Sequence, residues 1–156
     1  MNILIVEDDD QKYKHISSFL IESCEIKIKI TRNKSLHSAL DSITSNIFDL
    51  ILLDMTLPTF DISVHEDGGR PQARAGREVL RQMKRRNINF PVIVITQFDV
   101  FGVGKDEITL DELNLQLMNS HHGTYLGAIY YSTYSDKWKK DLIDFLVGIN
   151  KRCSND

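Results

Sequence analysis

Ile3-Leu4-Ile5-Val6-Glu7-Asp8-Asp9-Asp10 is the stretch that decides the fold. Four apolar residues, three of them β-branched, run without alternation into four acids. A short continuous run of this kind reads as a strand covered on both faces. The figure returns as Phe48-Asp49-Leu50-Ile51-Leu52-Leu53, which also stops on an acid, Asp54, and as Phe90-Pro91-Val92-Ile93-Val94-Ile95. Pro91 is tolerable there because it stands near the strand start.

Working outward, the segments between these runs have helical period. Tyr13, Ile16, Leu20 and Cys24 recur at three- and four-residue steps, behind an acid-rich start that suits a helix N-terminus. Leu36, Ala39, Leu40, Ile43 and Ile47 form a second stripe. Val79, Leu80 and Met83 form a third, which ends on Lys84-Arg85-Arg86. Thr109-Leu110-Asp111-Glu112 is a capping-box sequence ahead of Leu113 and Leu117. Trp138, Leu142, Phe145, Leu146 and Ile149 line one face of a last helix. Ile26, Ile28 and Ile30 alternate with lysines, as in a strand with one wet face, and residues 124–131 complete a set of five strands. Strands alternating with helices predict an α/β fold, a doubly wound parallel sheet with helices on both faces.

The 156 residues fit one domain, 1–156, and 42% hydrophobic against 26% charged residues is a globular balance. Nineteen Lys and Arg against 22 Asp and Glu give a formal charge of −3, so no basic excess points to nucleic acid. No run approaches the apolar length of a membrane span. Cys24 and Cys153 match no metal-ligand spacing and read as ordinary thiols. The expected location is the cytoplasm, with no membrane or nucleic-acid partner. Two segments, about 59–75 and 97–123, are long for connections and are expected to be insertions.

In doubly wound sheets ligands bind beyond the carboxyl ends of the strands. Asp8 and Asp9 follow the first strand, Asp54 the third, and Thr96 and Gln97 the fourth. Converging carboxylates repel one another unless a cation sits among them, and hard oxygen ligands suit Mg²⁺. A carboxylate beside such an ion can be the nucleophile toward a phosphoryl group, with Thr96 placed to bind a phosphoryl oxygen.

Those strings, together with Asp54-Met55 followed by Leu57-Pro58 and with Ile95-Thr96, resemble the response-regulator receiver domain of two-component signalling. The resemblance implies a flavodoxin-like sheet of strand order 2-1-3-4-5. It implies Asp54 as phosphoacceptor, Asp8 and Asp9 with Asp54 as Mg²⁺ ligands, the backbone carbonyl of Thr56 completing the metal site, and Thr96 as the switch hydroxyl. The family also carries a lysine, usually followed by proline, at the end of the fifth strand. Here the only prolines are Pro58, Pro71 and Pro91, and the strand reads Gly127-Ala128-Ile129-Tyr130-Tyr131-Ser132. Lys105 and Lys137 are the two candidates for a replacement.

Other motifs have plainer readings. His121-His122 is a polar loop pair, since adjacent residues on a helix do not face the same way. Gly68-Gly69-Arg70 lacks the strand–loop–helix frame of a phosphate cradle. The six bases between Arg74 and Arg86 make a local patch fit for an acidic partner surface.

The resulting expectation is a stand-alone receiver, not an enzyme acting on a separate substrate. It takes a phosphoryl group on Asp54 from a histidine kinase or phosphotransfer protein and signals, relays or buffers phosphate through protein contacts, Tyr130, Tyr131 and Tyr134 lying on the contact face. The competing reading is a degenerate receiver that binds a partner without phosphorylation.

Overall fold

The computed structural model describes residues 1–61 and 73–153. Within them the three unbroken apolar runs become the buried centre of one sheet. They are β1 (Asn2–Val6), β3 (Leu50–Leu53) and β4 (Val92–Thr96), flanked by β2 (Lys29–Asn33) on one side and by the last strand, β7 (Tyr125–Tyr130), on the other. All five are parallel, in the order β2-β1-β3-β4-β7, so the fifth strand of the sheet is β7. This is the doubly wound order expected from the sequence. The edge strand β2 begins later than the isoleucine alternation suggested, at Lys29. Ile26 is half exposed and outside it.

Period-two alternation between two covered faces explains why the runs at 3–6, 50–53 and 92–95 are apolar throughout. Leu4, Val6, Ile51, Leu53, Val92 and Val94 face α2 (Leu36–Ser45), α3 (Arg74–Arg85) and α4 (Leu110–Ser120). Ile3, Ile5, Leu50, Leu52, Ile93 and Ile95 face α1 (Asp10–Ser23) and α5 (Lys137–Cys153), where Ile16, Leu20, Trp138 and Leu142 complete the second core. A strand sandwiched between two helix layers has no face on which a polar residue is cheap.

The helix ends follow local chemistry. Asp9 caps α1, its side chain accepting from the Lys12 N–H at 2.7 Å. Ser35 and Ser38 form a capping box on α2, and Thr109 and Glu112 form the one read from the sequence on α4. After β3 the chain runs along the start of α2, where the N–H groups of Leu36 and His37 donate to the carbonyls of Pro58 and Thr59. Asp61 then accepts from the Ser38 hydroxyl at 2.8 Å. Most of the expected insertion at 59–75, including Gly68-Gly69-Arg70, lies outside the described residues. The other insertion is not a plain loop. Between β4 and α4 the chain forms an antiparallel pair, β5 (Val100–Phe101) and β6 (Ile108–Thr109), joined by a single 3₁₀ turn at Gly104–Asp106. Phe101 is buried and packs edge-on to Phe98, so the pair is anchored in the α2–α4 core.

Candidate functional site

Parallel register brings the strand ends to one edge. Val6 lies beside Leu53 across β1–β3, and the Asp54 N–H donates to the Val6 carbonyl at 3.0 Å. Glu7 and Asp54 are therefore the first residues beyond two neighbouring strands, and both are buried. Asp8 stands beside them on the exposed side. One carboxylate oxygen from each of Glu7, Asp8 and Asp54 lies within 4.8 Å of the others.

Into this group reaches an ammonium from α1. Lys12 Nζ lies 2.5 Å from Glu7 Oε2 and 3.1 Å from Asp54 Oδ1, and donates to the Ile95 carbonyl at 2.8 Å. Two hydrogen bonds and one further ion pair thus surround the ammonium, compensation that burial of such a group requires. The other Asp54 oxygen, Oδ2, accepts from the Thr56 hydroxyl at 2.9 Å. The other Glu7 oxygen, Oε1, accepts from the Asp9 N–H at 3.0 Å. Thr96 ends β4 fully buried, its hydroxyl accepting from the Phe98 N–H at 3.2 Å.

Charge balance at the site is incomplete. With all three carboxylates ionised, one ammonium leaves two negative charges uncompensated. Burial, and then the charge of Asp54, pushes the Glu7 carboxyl up to about 7. The same two causes raise Asp8. Burial works against the Lys12 ammonium, yet the charges of Asp54 and Glu7 outweigh it and hold the group above its ordinary value. A set of hard oxygens short of two positive charges fits one divalent cation of the Mg²⁺ type.

The sequence-predicted residues divide. Asp8, Asp54 and Thr56 are together, and Thr96 ends the adjacent strand. Asp9 is not in the carboxylate group, and Glu7 takes the place expected of it. Asp9 is held by its own capping bond one step further along the chain, while the β1–β3 register fixes the acid level with Asp54 as Glu7. Neither lysine offered as a replacement belongs to the group. Lys105 is exposed on the 3₁₀ turn, and Lys137 pairs with Asp141 along α5 at 2.6 Å. Tyr131 is not on a contact face either. It is buried just beyond β7, its N–H donating to the Thr96 carbonyl and its hydroxyl 2.6 Å from His15 Nδ1.

Sequence reasoning missed Glu7 and Lys12, although Lys12 left a trace. Lys12, Ile16 and Leu20 stand at four-residue spacing, and these are the three buried positions of α1. The lysine thus extends the apolar stripe, and a charge on the core side of a helix calls for a partner.

Comparison with known proteins agrees with this geometry. The family profile described as "Response regulator receiver domain" matches residues 3–106, about two thirds of the chain. The chain belongs to the response-regulator receiver family. Relatives of this receiver include the Detocs response regulatory protein DtcB of Enterobacter cloacae (strain JD6301), 33% identical over 145 residues, which cover 92% of this chain and 96% of that protein. The Vibrio alginolyticus DtcB is 26% identical over 148 residues, covering 92% and 98%. Among solved structures, the Francisella response regulator 1452 receiver domain superposes with a TM-score of 0.65 at 22% identity, covering 97% of this chain and 98% of that one. No helix among the described residues is long and apolar enough to cross a membrane.

Proposed function

We propose that this receiver accepts a phosphoryl group on Asp54 from a partner histidine kinase or phosphotransfer protein, and passes on, relays or stores that phosphate through protein contacts. The observation that carries the reading is the Asp54 carboxylate itself. It is nearly buried at a strand end and held by one hydroxyl and one ammonium beside two further carboxylates. In the transfer, an Asp54 oxygen bonds to phosphorus as the phosphorus–nitrogen bond of a donor phosphohistidine breaks. The imidazole leaves with that electron pair and takes a proton from solvent. Glu7, Asp8, Asp54 and the Thr56 carbonyl are the residues that would hold Mg²⁺, which when bound supplies positive charge for the phosphoryl oxygens. The Thr96 hydroxyl is the group offered to a phosphoryl oxygen after transfer. No separate substrate is turned over, so the chemistry is self-phosphorylation and loss of that phosphate.

The test is the intact mass of the protein after incubation with Mg²⁺ and a small phosphoryl donor, and with candidate kinases. One phosphate adduct, absent in Asp54→Ala and under chelation, is the expected result. A folded protein that gains no adduct from any donor would overturn the reading in favour of a phosphorylation-independent binding module.

A further inference from the structure

Resting on the phosphoacceptor reading of Asp54, we infer that Lys12, presented by the first helix, is the cation that binds the transferred phosphoryl group. Lys12 would thus stand in for the strand-end lysine that this chain lacks. Four independent features of the site converge on it.

Lys12 is the one buried lysine or arginine among the described residues, and its ammonium touches the phosphoacceptor. The position beyond β7 is filled by Tyr131, whose ring centroid lies 5.9 Å from Lys12 Nζ. The tyrosine therefore closes the approach from the fifth strand of the sheet and forms a wall against which the ammonium rests. A lysine in the first turn of a helix stands against the positive end of the helix dipole, so helix formation does not account for it there. Finally, Nζ also bonds the carbonyl of Ile95, the residue before Thr96. One ammonium thus spans from the acceptor carboxylate to the strand that carries the switch hydroxyl. When an Asp54 oxygen becomes bonded to phosphorus, that carboxylate is a poorer acceptor, and the donor Lys12 gave it turns to a phosphoryl oxygen. Its bonds to Glu7 and Ile95 keep Nζ in place for this.

Two measurements on the full chain test the assignment. Phosphorylation of wild type and Lys12→Met by the small donor, followed by intact mass, is expected to slow by about a hundredfold on loss of a donor aimed at developing charge. Mg²⁺ affinity of Lys12→Met is expected to hold or rise, because a competing cation has gone, and a misfolded site would not show this. Equal labelling rates in the two proteins would overturn the role of Lys12 while leaving Asp54 as acceptor. A wild type that no donor labels would overturn both readings together. The second measurement needs no variant. It is a crystal structure of the wild type with Mg²⁺ and beryllium fluoride, in which Lys12 Nζ is expected within hydrogen-bond distance of a fluoride on Asp54. An Nζ with no fluoride contact would overturn the assignment.

Discussion

Glycine at position 76 shows how closely the residues around the site are fitted. Its N–H donates to the Met55 carbonyl, one residue beyond Asp54, and a Cβ built on it would stand 2.8 Å from the Met55 Cα. Backbone cannot yield as a side chain can, so α3 would have to move away from the strand-end loop. Gly76→Ala is expected to cost about 1–3 kcal/mol of stability, an overpacking penalty, measured by urea denaturation. No loss would mean that the helix shifts freely. At this scale the sequence revealed chemistry better than geometry. Asp54 was legible because an acid ends a buried run. The choice between Glu7 and Asp9 was not legible, because it depends on strand register and on which acid the helix keeps as its cap.

Among the elements, α4 is closed at both ends by specific hydrogen bonds. Its start was legible as a capping box, and its end falls on His121, which closes the helix with its N–H on the Leu117 carbonyl. A helix C-terminus ordinarily favours a protonated histidine. Here burial, with Lys84 and then Arg77 adding to it, pushes His121 below its ordinary value of 6.5. The folded form therefore binds that proton less readily than the unfolded chain. The stabilising contribution is complete above pH 6.5 and is lost as pH falls through the lower folded value. Glu7, held up at about 7, acts in the opposite sense over the same range, so the contribution is read as a difference: between pH 7.5 and 5 the melting temperature of wild type should fall relative to that of His121→Gln. A variant with the wild-type slope would place the titrating group elsewhere. The β5–β6 pair was not legible at all. Two-residue strands carry no period, and Gly102 with its φ of +78° reads as loop until its partner strand is known.

For the whole molecule, order and layering were readable because three unbroken apolar runs admit few arrangements, and helices between parallel strands must fall on the two faces. The source of the positive charge was not readable from the order of elements, since it depends on how close α1 comes to the ends of β3 and β4. That placement gathers Glu7, Asp8 and Lys12 into one short corner of the chain. Tyr131 stands next to the Lys12 ammonium, its ring centroid 5.9 Å from Nζ, and a second ammonium introduced there is expected to repel the first. Tyr131→Lys alone should therefore be less stable than Tyr131→Met, whereas Tyr131→Lys combined with Lys12→Met should regain stability. Their coupling in a denaturation cycle is expected at about 1–3 kcal/mol, and a value near zero would show that the two positions do not compete. The coupling expected between positions 12 and 131 means that moving the cation from α1 to the end of β7 takes two substitutions made together.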